Sequence, residues 1–274
     1  MTPRIIATDM DGTLLNHKHE IPESFWPLLE RMHEQEIIFA PASGRQLYTL
    51  LNQFERSSKR LSVIAENGTV VYHEGSIVSV TTIDRDLAHT VIAMMDATDL
   101  PWGLILCRVD GAFMHKHKKH KQFLAESIRY YARLEQVDDL HSYVDDTVVK
   151  LAIFTEADAE SIAAPLIRSA AQELNVVVSG RHWIDVMNPE ANKGVALQAL
   201  AEATGTHMSD TLAFGDFLND LDLLQAAGTS YAMDNAHPTI KSISDAVAPS
   251  HADEGVIHVV SGILDALEAR TPSA

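Results

Sequence analysis

Along the chain, short runs of β-branched and other apolar residues alternate with longer stretches whose apolar side chains recur every three or four positions. The short runs predict strands covered on both faces and the longer stretches predict amphipathic helices, so their alternation predicts parallel βαβ units. Arg4 to Thr8 is the first strand. Pro22 to Gln35 carries Phe25, Leu28, Leu29 and Met32 at helical spacing, with Pro27 near its start as the weak point, and Ile37 to Ala40 reads as the next strand. Gln46 to Phe54 suits a second helix and Leu61 to Ala65 a third strand. Asn67-Gly68 suits the turn of a small hairpin through Val70 to Val80.

From about Ile83 the texture changes. A helix rich in Ala and Met, two strands around Trp102 to Met114 and a helix near Gln122 to Arg133 are followed by strand Val148 to Thr155 and helix Ala157 to Leu174. Strands Val176 to Ser179 and His182 to Met187 complete this unit. Alternation then resumes with helix Gly194 to Thr204, strand Thr211 to Phe214, helix Asp220 to Ala227, strand Ser230 to Met233 and a terminal helix to about Ala269. The expected fold is α/β: a Rossmann-like, doubly wound parallel-sheet core at 1–82 and 188–274, interrupted by an inserted α+β cap at 83–187. No internal repeat or low-complexity tract interrupts this pattern.

A chain of 274 residues, 46% of them apolar, can bury the core that this plan requires. Its 21 Lys plus Arg stand against 38 Asp plus Glu, and the resulting net charge of -17 repels nucleic acid and anionic membrane. Phosphate esters are repelled too, so an enzyme acting on them needs a local positive site. The single cysteine, Cys107, sits among Leu104, Ile105 and Leu106 and reads as a core thiol. No apolar run approaches the roughly 20 residues that span a bilayer. A cytoplasmic monomer is the expectation, with a small molecule rather than a macromolecule as partner.

The chemistry begins at Asp9-Met10-Asp11-Gly12-Thr13-Leu14. Two carboxylates two residues apart follow directly on the first strand, at the carboxyl edge where open α/β sheets bind ligands. Gly12 lets the chain turn sharply there, so that both carboxyls converge. The bland alternative is a polar turn, where Asp and Gly are common. Three further motifs follow in order: Ala42-Ser43-Gly44-Arg45 after the second strand, Lys193-Gly194 at the start of a helix, and Gly215-Asp216-Phe217-Leu218-Asn219-Asp220 after another strand.

With these motifs the chain resembles the haloacid dehalogenase superfamily, and in particular its Cof-type sugar phosphatases with a type IIB cap. The resemblance extends through Ala65-Glu66-Asn67-Gly68 and Ala232-Met233-Asp234-Asn235-Ala236 and covers essentially the whole sequence. It implies a magnesium-dependent phosphatase in which Asp9 is the nucleophile and forms an aspartyl-phosphate. It also implies that Asp9, Asp216 and the Asp11 carbonyl hold Mg2+, with Asp220 behind them orienting Lys193 or a metal-bound water. Ser43, the Gly44 amide and Lys193 would bind the phosphate, and Asn219 would add a hydrogen bond to phosphate or a metal-bound water. Ser43 stands where many relatives have Thr and supplies the same hydroxyl.

Asp11 is expected to handle the protons, its pKa raised by nearby carboxylates until it can protonate the leaving alkoxide and then deprotonate water. A phosphorylated metabolite, foremost a sugar phosphate, is the expected substrate. The same resemblance leaves open flavin mononucleotide or pyridoxal phosphate as substrate, phosphoryl transfer like that of phosphomannomutases, and a non-catalytic phospholigand sensor. In the cap, Arg181, His182 and Trp183 are candidates for touching the substrate. The basic run His115 to Lys121 reads as a solvated loop at a helix start, against steering of substrate or imidazole ligation of a transition metal. Trp26 and Trp102 read as packing residues.

Overall fold

The computed structural model describes residues 3–117 and 121–269. The chain begins with β1 (Ile5–Thr8), α1 (Phe25–Glu34), β2 (Ile38–Pro41), α2 (Leu47–Gln53), β3 (Ser62–Ala65), β4 (Val70–His73) and β5 (Ser76–Val80). It continues through α3 (Arg85–Ala97), β6 (Gly103–Arg108), β7 (Ala112–His115), α4 (Lys121–Tyr130), β8 (Leu134–Val137), β9 (Val148–Phe154), α5 (Ala164–Ala170), β10 (Asn175–Gly180) and β11 (Trp183–Met187). It ends with α6 (Lys193–Thr204), β12 (Thr211–Gly215), α7 (Leu221–Ala226), β13 (Thr229–Met233), α8 (Pro238–Ile243), β14 (Ala246–Ala248) and α9 (Gly255–Glu268).

Five parallel strands form the core sheet in the order β14-β13-β12-β1-β2. The four residues of β1 are all buried, and Ile5 pairs with Thr211 on one side and with Ile38 on the other. The chain leaves β1 outward through β2 and later moves the opposite way from β12 through β13 to β14. The carboxyl ends of β1 and β12 therefore flank a topological switch point, the crevice where such sheets bind ligands. Phe25, Leu28, Leu29 and Met32 form the buried stripe of α1, each contributing roughly 1.5–3 kcal/mol of hydrophobic stabilisation. Pro27 is tolerated because it occupies the first turn, where a backbone N–H has no helical partner.

The inserted unit is built on a six-stranded sheet in the order β10-β11-β9-β6-β7-β8, antiparallel except for the β7–β8 pair. Both faces of its central strands β6 and β9 are buried. Leu104, Leu106, Leu151 and Ile153 join Val91, Ile92 and Ile167 of α3 and α5 in one cluster. The alternate residues Ile105, Cys107 and Phe154 join Phe123 of α4 in the cluster that continues into the core. Cys107 is fully buried, as a core thiol should be.

Several elements differ from the sequence expectation. The helix expected to reach Arg133 stops at Tyr130, and the edge strand β8 follows it. The helix expected from Ala157 to Leu174 divides into a wide turn at Ala159–Ala163 and the short α5, where Pro165 lies in the first turn and lacks the N–H that would continue a ladder. Asn67-Gly68 turns the chain between β3 and β4, while a second turn at Glu74-Gly75 closes the β4–β5 hairpin. The short α8 and β14 precede the terminal helix and had no periodic signal. Among the described residues, no helix is long and apolar enough to cross a membrane.

Candidate active site

Asp9 is the first residue after β1, and its amide donates to the Phe214 carbonyl at 3.0 Å, which ties it to the end of β12. A wide turn follows, with the amides of Leu14 and Leu15 donating five residues back to the carbonyls of Asp9 and Met10. Gly12 sits in this turn at φ +80°, and a Cβ at that position would lie 2.2 Å from Asp216 Oδ2. Only glycine lets the backbone come so close to Asp216. From the same turn, the Thr13 hydroxyl donates to Asp216 Oδ1 at 3.2 Å.

Lys193 opens α6, whose first turn is fixed by the Asn192 side chain accepting from the Val195 amide at 2.8 Å. Gly194 allows the helix to run against α7, because a Cβ there would lie 2.4 Å from the Asp222 carbonyl. The buried Lys193 ammonium donates to Asp9 Oδ1 and to Asp220 Oδ1, each at 2.6 Å. The other Asp220 oxygen accepts from the amides of Asp216 and Phe217 at 2.9 and 3.1 Å. Both Asp220 oxygens are thus committed.

Asp9, Asp216 and Asp220 each offer an oxygen within 4.8 Å of the others. One ammonium faces three carboxylates. Burial and the Asp220 charge, opposed by Lys193, push Asp9 up to about 7. Burial and the charges of Asp9 and Asp220 likewise hold Asp216 well above the usual carboxylate range. Lys193 is raised because those carboxylates outweigh the effect of its burial. A deficit of positive charge, a cradle of hard oxygen donors and the opening kept by Gly12 together fit Mg2+.

This charge deficit has a thermodynamic signature. Asp9 is raised to about 7 from 3.8, so the stability it contributes is fully present below pH 3.8 and lost as the pH rises towards 7. A divalent cation relieves that loss. Saturating Mg2+ is therefore expected to raise the melting temperature more at pH 8 than at pH 5, and a hundredfold excess over Kd contributes about 2.7 kcal/mol. Equal shifts at both pH values, or none, would count against a metal held by Asp9.

Asp11 stands apart from the acidic cluster. Its charge reaches Asp9, as the motif leads one to expect, but its nearest cationic partners are arginines. Arg45 grips both its oxygens, with Nη2 at 2.8 and 2.7 Å and Nε at 3.2 Å. His19 Nδ1 lies 3.2 Å and Arg129 Nη2 3.6 Å from Asp11 Oδ1. The Arg45 side chain is only 2% exposed, and its guanidinium lies 4.8 Å from the centre of the Tyr130 ring. Nothing in the Ala42-Ser43-Gly44-Arg45 motif by itself signals this role for Arg45.

These groups line one cavity of about 410 Å³ between the core crevice and the inserted unit. Asp9, Asp11, Ser43, Gly44, Asp216 and Asn219 face it from the core, and Tyr130, Lys150, Arg181, His182, Trp183 and Asp185 from the other side. Arg181 and His182 thus reach the cavity, with His182 Nδ1 3.0 Å from the Thr155 carbonyl oxygen. The Asn219 side-chain amide donates to Asn67 Oδ1 at 3.0 Å, so Asn67 takes up a donor expected at phosphate or a metal-bound water. Lys116 and His117 lie 2.9 and 3.6 Å from Asp138 and do not line the cavity; residues 118–120 of the basic run lie outside the described residues.

A buried ionic network also went unforeseen. Lys150 Nζ lies 2.7 Å from Glu66 Oε2, 3.4 Å from Asp185 Oδ1 and 2.7 Å from the Gly44 carbonyl oxygen, and Asn67 Nδ2 donates to Asp185. Lys150 and Asp185 share the face of the inserted sheet that looks towards the core: Lys150 pairs with Cys107, and Asp185 pairs with Ala152 two residues along β9. Burial lowers the Lys150 pKa, but Asp185 and Glu66 outweigh it and raise it overall. The signal lay in the sequence: a lone Lys in Val148-Val149-Lys150-Leu151-Ala152 and a lone Asp in Trp183-Ile184-Asp185-Val186-Met187 need partners if their strands are buried.

A family model for haloacid dehalogenase-like hydrolases matches residues 6–260. The chain belongs to this family. The hydrolase is 31% identical over 267 residues to the 5-amino-6-(5-phospho-D-ribitylamino)uracil phosphatase YbjI of Escherichia coli K12, covering 96% of this chain and 97% of that one. It superimposes on SMU.1108c from Streptococcus mutans with a TM-score of 0.87 at 25% identity, covering 96% and 100% of the two chains. It shares the fold of the subclass IIB sugar phosphatase BT4131 with a TM-score of 0.80 at 17% identity, covering 95% and 99%. This hydrolase is a phosphatase of the Cof type, with a doubly wound core and an inserted cap.

Proposed function

We propose that this phosphatase hydrolyses the monoester of a small phosphorylated metabolite, with Asp9 as nucleophile. The observation that carries this reading is the place of the Asp9 carboxylate. It lies at the switch point, 2.6 Å from the buried Lys193 ammonium, in a cluster short of positive charge that opens into the cavity. Asp9 attacks phosphorus and expels the alcohol. A water then attacks the aspartyl-phosphate, releasing inorganic phosphate and restoring the carboxylate.

Asp11 is assigned both proton transfers, to the leaving oxygen and from the water, with Arg45 aiming it by its two-pronged grip. The Ser43–Gly44 segment holds the phosphoryl oxygens with Asn219 at their edge, and Lys193, which lies behind Asp9 and outside the cavity lining, supports them with its charge. Bound Mg2+, held by Asp9, Asp216 and the Asp11 carbonyl, would neutralise charge on the phosphoryl group and the nucleophile. One chain supplies every group this scheme needs.

Residues 83–187 act here as the specificity unit, since Arg181, His182 and Asp185 bring polar groups to the leaving-group side of the cavity. Sugar hydroxyls suit these groups. A second reading, a polyol phosphate carrying a planar heterocycle, is favoured by Tyr130 and Trp183 on the same wall and by the substrate named for the relative YbjI.

The test is phosphate release from sugar phosphates, 5-amino-6-(5-phospho-D-ribitylamino)uracil, flavin mononucleotide and pyridoxal phosphate, each with Mg2+ or with chelator. Mg2+-dependent turnover is expected, and its rank order identifies the leaving group. Asp11→Asn is expected to slow release by about 10²–10⁴-fold, the usual worth of a positioned acid–base group. Full turnover in that variant would remove Asp11 from the mechanism, and no turnover by the wild type on any compound would favour phosphoryl transfer or phospholigand sensing.

A further inference from the structure

We infer that Lys150, from the inserted sheet, is a positioning residue for the phosphate-binding loop of the core, acting through the Gly44–Arg45 peptide on the Ser43 hydroxyl. The inference rests on the reading of Ser43 as a phosphate ligand. The chain of contacts is short. Lys150 Nζ donates to the Gly44 carbonyl oxygen at 2.7 Å, and the N–H of that same peptide, on Arg45, donates to Ser43 Oγ at 3.2 Å.

A hydroxyl whose oxygen accepts a fixed N–H must aim its own proton elsewhere. Ser43 lines the cavity, so a phosphoryl oxygen bound there is a suitable acceptor. An ammonium on the carbonyl end polarises the peptide and strengthens its N–H as a donor. The peptide carries a second load as well, because the Arg45 side chain grips Asp11.

The rest of the loop is held by core backbone. The Ser43 amide donates to the Ile64 carbonyl at 2.9 Å, the Asn67 amide to the Ser43 carbonyl at 3.0 Å, and the Glu66 amide to the Arg45 carbonyl at 3.0 Å. The Gly44 carbonyl is held from β9 instead. Lys150 is fully buried and kept charged by Glu66 and Asp185, so it has no freedom to swing away. The loop is therefore complete only when the inserted unit is seated, which couples the specificity unit to phosphate binding.

The experiment is a double-mutant cycle on kcat/KM and on inhibition by inorganic phosphate, with Ser43→Ala, Lys150→Met and the pair. Each single change is expected to lower kcat/KM by about tenfold or more and to weaken phosphate inhibition, and the pair is expected to be no worse than the poorer single within about threefold. Lys150→Met/Glu66→Gln, which keeps the net charge of the buried network, is expected to melt near the wild type and yet retain the Lys150→Met defect. Multiplying effects in the pair overturn the inference, as does wild-type kcat/KM in Lys150→Met/Glu66→Gln, which would reduce Lys150 to charge balance. An unimpaired Ser43→Ala would instead overturn the reading of Ser43 itself.

Discussion

Asp9→Asn is expected to abolish measurable phosphate release, a fall of roughly 10⁴-fold or more, equivalent to about 5.5 kcal/mol of transition-state stabilisation. An amide of the same shape keeps an oxygen for Lys193 but cannot attack phosphorus. The same substitution is expected to raise the melting temperature of the metal-free protein at pH 8. Above about 7 the wild-type carboxylate is ionised in a buried site beside Asp220, and the neutral amide escapes that penalty. The gain should shrink at pH 5, where Asp9 in the folded protein is already protonated. Phosphate release and thermal melts at both pH values check the pair of expectations. Substantial turnover would remove Asp9 as nucleophile, and a lower melting temperature at pH 8 would show that its ion pair outweighs its burial.

Lys193→Met is expected to remove activity and stability together. Its ammonium is the partner of two buried carboxylates, and withdrawing one member of such a network costs about 3–5 kcal/mol. For a chain of this size each kcal/mol shifts the melting temperature by roughly 2–4 °C, so a drop of roughly 6–20 °C is expected. Adding Asp220→Asn removes one of the stranded charges and should restore part of the lost stability without restoring turnover. Thermal melts of both variants, with and without Mg2+, decide the matter. A single variant melting within about 2 °C of the wild type would mean that the carboxylates find another counter-charge.

The parallel core was legible because β1 and β12 are buried on both faces and read as unbroken apolar runs, and because the helices between them keep a 3.6-residue period. The candidate-site motifs were legible for a different reason: each sits at a strand end or, for Lys193-Gly194, at a helix start, so local pattern fixes its place in space. Other features lacked a local signature. The three-residue β14 is too short to show a period, and β8 is a half-exposed edge strand whose Leu134 and Val137 fit a helix equally well. The grip of Arg45 on Asp11 spans 34 residues and that of Lys150 on Glu66 spans 84, and no spacing rule connects such pairs. Where a charged residue interrupts a buried strand, as Lys150 does, the sequence reveals the need for a partner but not its identity.

In the core sheet, β1 has its two neighbours at very different distances along the chain: Ile5 pairs with Ile38 on one flank and with Thr211 on the other. Synthesis delivers these flanks at different times. At about 5–20 residues per second the ribosome makes the second flank roughly 10–40 s after the first strand. For most of that interval the nascent chain carries Asp9 and Asp11 without Lys193, and for all of it without Asp216, and the whole inserted unit emerges before the core sheet can be completed. Asp9 thus precedes its counter-charge Lys193 by 184 residues, so the acidic cluster can be balanced only after the inserted unit has been made.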